Sequence, residues 1–205
     1  MPPIMPASGV ILPAEERRAK TVETVVELAA EQNPNDITTA AIAERMGVTQ
    51  GALFRHFANK DAILQAVVNW VAERLLSRVD TAAQQANGPK AALAAVFTSH
   101  IGFIAEHPGI PRLLLGELQK PGQTMPKRMV KTLVQSYRER VEKLLQEGKQ
   151  AGEFAADLDE EAAATLYVGT IQGLVVQTIM QGNAERLKLE AQRVYAIFQR
   201  GLEPR

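Results

Sequence analysis

The chain has no cysteine among its 205 residues, and aromatic residues make up only 5% of it. The missing cysteines exclude disulfides and thiolate metal sites, so nothing in the sequence requires an oxidising compartment. Only three histidines are present, and none has the spacing of a metal-binding helix motif. No uninterrupted apolar run approaches the roughly 18 residues of a membrane span. These absences favour a cytoplasmic protein without a metal or cofactor, and predict no membrane partner.

Catalytic residues are also scarce. No glycine-rich loop follows a strand pattern, and the adjacent pairs Glu15-Glu16 and Glu160-Glu161 point in different directions around a helix. Such pairs at a helix start are better explained by their attraction to the positive end of the helix dipole. We therefore expect a protein that is not an enzyme.

The charge balance is unusual for a nucleic-acid-binding protein. Lys and Arg match Asp and Glu at 23 each, and the first 64 residues carry six basic and eight acidic side chains. A nucleic-acid-binding domain is often strongly basic. Any DNA binding must therefore depend on the positions of a few Lys and Arg side chains. Such binding should neutralise the charge of only a few DNA phosphates.

Apolar residues recur at spacings of three and four along nearly the whole chain, and no strand-period run of useful length appears. The sequence therefore predicts an all-α protein. We expect a flexible N-terminal arm at 1–12, a helix-turn-helix DNA-binding domain at 13–60 and a helical regulatory and dimerisation domain at 61–205. The predicted helices cover residues 13–31, 39–46, 49–57, 60–86, 89–106, 110–119, 125–151, 159–180 and 184–202.

The segment 36–64 has the pattern of a helix-turn-helix. Thr38 and Thr49 are candidate N-caps, because a threonine hydroxyl accepts a hydrogen bond from an unpaired N–H of the following helix. Gly47 is expected in the left-handed conformation that ends the first helix. Val48 is expected as a buried plug, with Ala43 and Gly47 allowing close helix approach.

The second helix of this motif has two distinct faces. Ala52, Leu53, His56 and Phe57 fall on the inner side, whereas Gln50, Gly51, Phe54 and Arg55 fall on the outer side. Glutamine suits adenine and arginine suits guanine in the major groove, so Gln50 and Arg55 are predicted to read bases. Contacts to phosphate are assigned to Thr38, Thr39, His56 and Lys60.

These residues carry a family resemblance. The segment from Thr38 to Leu64, including Thr49, Gly51, Phe54, His56 and Lys60, resembles the N-terminal signature of the TetR family of bacterial transcriptional repressors. The resemblance covers about the first third of the chain. It implies a homodimer that blocks transcription from operator DNA, often released when a small ligand enters the C-terminal domain. Phe54 departs from the family pattern, because a tyrosine at this position would contact a phosphate through its hydroxyl.

The C-terminal helices suggest a dimer interface. Residues 159–180 are apolar around the whole helix, which is typical of burial on all sides. Gly169 and Gly173 would allow close helix approach, and Val194, Ile197 and Phe198 would join from the last helix. We therefore expect helices near 159–180 and 184–202 to form a four-helix interface in a homodimer. The basic helix at 125–151 is interpreted chiefly as a solvated face.

A small apolar or amphipathic effector is the other expected partner besides double-stranded operator DNA. Each aromatic or long side chain in the body is individually more typical of a core than of a ligand site. His100 could orient a polar ligand group, although a histidine bonded to a neighbouring helix is commoner. The candidate ligand residues are Trp70, Phe97, His100, Phe103, Leu114, Met129, Tyr137 and Tyr167.

The leading hypothesis is a homodimeric repressor that binds a pseudo-palindromic operator and is released by a small molecule. The alternative keeps the DNA binding but makes the protein an architectural or division-linked factor without small-molecule release. In that case the basic helix around Lys127 to Lys149 would be an interaction surface.

Overall fold

The structure is a computed structural model that describes residues 13–181 and 186–204. Within those ranges the chain forms nine α-helices, one short 3₁₀ turn and no strand, which confirms the all-α prediction. The predicted arm at 1–12 and the predicted start of the last helix at 184 lie outside the described residues. The helices are α1 Ala14–Glu31, α2 Thr39–Arg45, α3 Gln50–Phe54, α4 Lys60–Gln84, α5 Pro89–Glu106, α6 Gly109–Gln119, α7 Met125–Gln150, α8 Glu160–Gln181 and α9 Arg186–Gly201, and the 3₁₀ turn is Pro34–Asp36.

The helix starts in the N-terminal part are fixed by side-chain caps. The Thr38 hydroxyl accepts a hydrogen bond from Ala41 N, and the Thr49 hydroxyl accepts one from Ala52 N, each at 3.1 Å. Such a cap typically stabilises a helix by about 1 kcal/mol. Gly47 has a φ of 66°, the left-handed conformation expected after α2. Both predicted caps and the predicted glycine turn are confirmed.

Two details of the turn differ from the prediction. A Cβ placed on Gly47 would meet nothing within 4 Å, so Gly47 serves the backbone turn and not a close helix approach. Val48 is only half-buried and is not a plug. Helix α3 is also shorter than the predicted 49–57, because the chain turns after Phe54. Hydrogen bonds from the amides of His56 and Phe57 to Leu53 O hold that turn, at 3.0 and 3.2 Å.

The first three helices form a compact headpiece. Its core contains Val25, Ala29, Ile42, Leu53 and Phe57, all buried. Arg18 on α1 fastens the end of α3: its Nη1 donates to His56 O at 2.6 Å, and its guanidinium lies 4.5 Å from the Phe57 ring centroid. Arg18 therefore links α1 to the end of α3.

Helix α4 carries the core from the headpiece into the body. One of its faces is buried along its length, from Ile63 and Val67 to Val71 and Val79. The same apolar cluster includes headpiece residues such as Leu53 and body residues such as Leu145. The apolar packing is therefore continuous from the headpiece into the body.

Candidate DNA-binding surface, ligand cavity and dimer face

The predicted reading surface lies on the outside of α3. Leu53 is 2% exposed on the inner side, whereas Phe54 is 43% exposed on the outer side. Gln50, Gly51 and Arg55 are also exposed. The predicted separation of inner and outer faces is confirmed, while the individual DNA contacts stay predictions.

Gln50 is held in place by α2. Its Nε2 donates a hydrogen bond to Thr39 Oγ1 at 3.0 Å. A carboxamide has two N–H donors and one carbonyl acceptor, so this bond leaves one donor and the acceptor unused. Those are the two groups needed for a two-point contact with adenine. Thr39 thus orients Gln50, a function that sequence reasoning missed when it assigned Thr39 to a phosphate alone.

The side chains assigned to phosphate lie around this surface. The Thr38 hydroxyl accepts a capping bond, which leaves its O–H proton available to donate to a phosphate oxygen. Half-buried Lys60 lies at the start of α4. Burial lowers the pKa of its ammonium group, and the charge of Lys120 lowers that pKa further.

Two of the headpiece cations are committed to the fold. Both nitrogens of the Arg45 fork bond the Glu31 carboxylate, Nη1 at 2.9 Å and Nη2 at 2.5 Å. Arg18 is bound to His56 O. By contrast, exposed Arg55 forms no ion pair within the described part of the chain. Because two of the headpiece arginines are paired within the fold, few cations are left to neutralise DNA phosphates.

The basic helix α7 is largely paired within the chain. Arg140 binds Asp80 of α4 through two hydrogen bonds at 2.7 and 3.1 Å. Arg138 reaches Glu161 of α8 at 3.0 Å, and Lys149 donates to Leu158 O at 2.8 Å. These contacts tie α7 to its neighbours, so the interpretation as an ordinary helix face fits better than a second nucleic-acid surface.

A cavity of about 130 Å³ lies in the body, lined by α4 to α8 and partly open to solvent. Most of its wall is aliphatic, and α6 alone contributes Ile110, Leu114 and Leu118. Their spacing of four residues places them on one face of α6, which the sequence alone could have indicated as a cavity wall. The sequence-based prediction favoured aromatic residues instead. The full lining is Val71, Leu75, His100, Phe103, Ile104, Ile110, Pro111, Leu114, Leu115, Leu118, Val130, Leu133, Val134, Tyr137, Val168, Ile171, Gln172 and Val175.

Four of the eight candidate ligand residues border this cavity, namely His100, Phe103, Leu114 and Tyr137. The other four, Trp70, Phe97, Met129 and Tyr167, lie outside its lining. Phe97 and Tyr167 pack edge to face at 5.4 Å, and the Tyr167 hydroxyl donates to Leu93 O at 3.0 Å. Trp70 packs its ring against His107 at 5.2 Å.

Two polar groups in the cavity wall are buried without a hydrogen-bond partner among the described residues, His100 Nδ1 and the Tyr137 hydroxyl. The two rings are 4.8 Å apart in an edge-to-face arrangement. Burial lowers the pKa of His100 to about 4 and raises that of the Tyr137 hydroxyl. Both groups are therefore neutral at physiological pH. An unsatisfied buried polar group costs about 1–3 kcal/mol, so a ligand that bonded these groups would recover that energy.

Helix α6 connects the cavity to the headpiece. A Cβ on Gly109 would lie 2.3 Å from the backbone of Ala29 and Ala30 in α1, so the two helices touch backbone to backbone. Near its other end, Glu117 is buried and forms an ion pair with Lys120. Helix α6 thus borders both the cavity and α1, the helix that Arg18 links to the end of α3.

An exposed apolar face runs along α8 and α9. Leu166 and Met180 are 60% and 81% exposed on α8, as are Leu189 and Ile197 on α9 at 58% and 64%. On α8 the sequence positions 162, 166, 169, 173, 176 and 180 follow alternating steps of four and three, so these residues form one stripe. Phe198, in contrast, is buried in the chain's own core, so its predicted interface role is wrong.

By length and composition α8 could cross a membrane, with 33% of its most apolar window buried.

Comparisons with known proteins agree with this architecture. Residues 22–67 match the family described as bacterial regulatory proteins, tetR family. Residues 67–201 match the C-terminal region of YsiA-like proteins. Together the two matches cover both the headpiece and the body.

Similar curated proteins are named nucleoid occlusion factor SlmA. That of Marinomonas sp. (strain MWYL1) is 28% identical over 102 residues, which are 50% of this chain and 52% of that protein. That of Idiomarina loihiensis is 26% identical over 180 residues, 86% of this chain and 91% of that protein. The chain thus matches about half the length of the first relative and most of the second.

A solved structure shares the fold over most of the chain. It is the transcriptional regulator FadR from Bacillus subtilis in complex with stearoyl-CoA, with a TM-score of 0.79, 22% identity and coverage of 90% of this chain and 99% of that one. The headpiece, the body and the two family matches therefore lead to one conclusion: the chain belongs to the TetR family of bacterial regulatory proteins.

Proposed function

We propose that the protein is a homodimeric transcriptional repressor that binds a pseudo-palindromic operator and is released when a small molecule enters the body cavity. The observation that carries this proposal is the position of α6, which lines the cavity with Leu114 and meets the headpiece at Gly109. A ligand that favours a different α6 position would move α1 and, through Arg18, the end of α3.

Two reading heads must be held at the separation of two half-sites, about 34–36 Å for successive major grooves on one side of the DNA. The exposed stripe on α8 supplies a surface for pairing two chains. Release by a ligand requires only that the ligand bind the state with the wrong separation more tightly. Selection from random duplexes should return a two-fold symmetric site. If no symmetric sequence were enriched, the proposal would be wrong.

Replacing Gln50 with alanine should relax specificity at one base pair of each half-site. A two-point contact with a base is worth about 1–3 kcal/mol, so the preference there should fall by roughly tenfold or more. Binding of the variant to a set of single-base operator variants measures the change. Thr39→Val should give a smaller loss of preference at the same base pair, because it removes the bond that orients Gln50 but leaves Gln50 itself. Loss of the predicted Thr39 phosphate contact would weaken binding to all sequences alike. An unchanged base preference in Gln50→Ala would show that Gln50 does not read a base.

Replacing Lys60 with alanine should weaken binding to all duplexes alike. A phosphate contact carries no sequence information, and its loss reduces the slope of log affinity against log salt by about 1. Titrations at several salt concentrations measure that slope. Lys20→Ala, on α1 and paired with Glu23 at 3.6 Å, is a charge-matched control. A slope equal to that of the wild type would remove Lys60 from the phosphate contacts.

A second candidate function is favoured by the relatives named nucleoid occlusion factor SlmA. A division-linked DNA-binding factor would occupy many dispersed chromosomal sites and would keep them in the presence of any cavity ligand. On α7, Arg138, Arg140 and Lys149 are paired within the chain. This leaves exposed Arg128, Lys131 and Lys143 as the basic surface for such a role. Mapping of bound sites in cells separates the two candidates, because a repressor should occupy few sites near promoters.

A further inference from the structure

We infer that the effector is an uncharged, compact, apolar molecule that carries one hydrogen-bonding group, such as a carbonyl or hydroxyl. This inference rests on the proposed function, because it names the ligand class of the same cavity. It is carried by the chemistry of the cavity wall, by the two unpaired polar groups in it, and by the cavity's size.

The wall contains no charged side chain among the described residues that line the cavity. A carboxylate or phosphate buried there would have no cation to pair with, and isolated buried charges are among the most costly groups in a protein interior. His100 cannot supply that cation at neutral pH, because burial keeps its imidazole uncharged. The ligand part inside the cavity is therefore neutral.

His100 and Tyr137 supply the unpaired polar groups of the cavity wall that can form hydrogen bonds with a ligand. The Tyr137 side chain is 4% exposed, and its hydroxyl has no hydrogen-bond partner among the described residues. The nearby Tyr167 hydroxyl donates its proton to Leu93 O. Burial raises the pKa of Tyr137 and the Tyr167 hydroxyl lowers it by less, but the two hydroxyls do not have the geometry of a hydrogen bond. His100 is half-buried because its ring borders the cavity, yet its Nδ1 is fully buried and unpaired. A carbonyl can accept from Tyr137, and a hydroxyl can bond both groups.

Size restricts the ligand further. A cavity of about 130 Å³ is close to the engineered cavity of about 150 Å³ that binds benzene. It fits a single substituted ring or a short branched chain. The stearoyl-CoA bound to FadR of Bacillus subtilis is a far larger and anionic molecule. The buried volume is too small for the stearoyl chain of that ligand, so the cavity of this chain predicts a different ligand class from that of its structural neighbour.

The test uses the full-length protein without DNA and cyclohexanone as the probe. Calorimetry should detect cyclohexanone binding to the wild type, and Tyr137→Phe should weaken it about tenfold, the usual effect of one lost hydrogen bond. Tyr195→Phe is the matched control. It removes another buried, unpaired tyrosine hydroxyl that lies outside this cavity, and it should leave cyclohexanone binding unchanged. Because Tyr137→Phe removes an unsatisfied group, it should fold at least as well as the wild type.

Ligand charge and size are tested with two further probes. Cyclohexanecarboxylate at neutral pH should bind at least a hundredfold more weakly than cyclohexanone, and stearoyl-CoA should not bind. The inference would be overturned by binding of stearoyl-CoA, by equal binding of the carboxylate, by failure of cyclohexanone to bind, or by equal cyclohexanone binding in Tyr137→Phe. If cyclohexanone bound but the operator complex persisted, the proposed release would be wrong and the ligand class would stand.

Discussion

Leu166→Glu is expected to separate the dimer into monomers and to abolish tight operator binding. Leu166 is 60% exposed on α8, in a stripe that also contains Val176 and Met180. Exposed apolar stripes of this kind mark interaction surfaces in soluble proteins. A second copy of the chain, packed about a two-fold axis, would bury each stripe against its counterpart.

In the dimer, the glutamate of each subunit would place a negative charge in the interface formed by the two α8 stripes. An unpaired buried charge costs several kcal/mol, so the dimer dissociation constant should rise by at least about a hundredfold. A monomer binds one half-site only, and it loses the gain in affinity that comes from linking two heads. Sedimentation equilibrium measures the first effect, and a titration with symmetric operator DNA measures the second.

The matched control is Met125→Glu. Met125 is 48% exposed, but it starts α7 and lies outside the stripe on α8. Adding the same charge there should leave both the mass and the operator affinity unchanged. If Leu166→Glu remained dimeric at the dissociation constant of the wild type, the α8 stripe would not be the interface.

The success of the α3 prediction has a local physical basis. Each capping threonine lies next to the helix that it starts, and the inward position of Leu53 on α3 follows directly from 100° per residue. The inner and outer residues of a short helix can therefore be read from the sequence alone. The same holds for Gly47, because its left-handed turn depends on its own backbone.

The cavity could not be predicted in the same way. Whether Phe97 or His100 borders it depends on how α5 is rotated against α6 and α7, which contacts distant in sequence decide. Phe97 instead packs on Tyr167 and Tyr195. The pairing of Arg140 with Asp80 joins residues 60 positions apart, so the apparent basic face of α7 could not be recognised as paired. Gln50 binding to Thr39 was missed because it links two helices.

Gly109→Ala is expected to give the largest loss of stability among single-methyl additions at the contact between headpiece and body. Its new Cβ would lie 2.3 Å from Ala29 C and from Ala30 N, far inside van der Waals contact. The neighbouring atoms belong to the α1 backbone and cannot rotate away as a side chain could. Overpacking of this kind costs about 1–3 kcal/mol or more, which corresponds to a fall in Tm of several degrees for a chain of this size.

Operator binding should decline together with stability. Relief of the clash requires α1 and α6 to move apart, and α1 holds α3 through Arg18. The distance between the two headpieces of the dimer would then no longer match the distance between the two DNA half-sites. We expect at least a tenfold loss of operator affinity at a temperature where the variant is fully folded. Thermal unfolding and a DNA titration of the same preparation measure the two effects.

Gly116→Ala on the same helix is the control for this experiment. A Cβ there would meet only the Asn35 side chain, at 3.4 Å, and alanine is favoured over glycine inside a helix by about 1 kcal/mol. This variant should be as stable as the wild type or more stable, with unchanged operator affinity. The two variants add the same methyl group to α6, so a difference between them isolates the contact of Gly109 with α1. Equal behaviour would show that the approach of α6 to α1 does not control the reading heads.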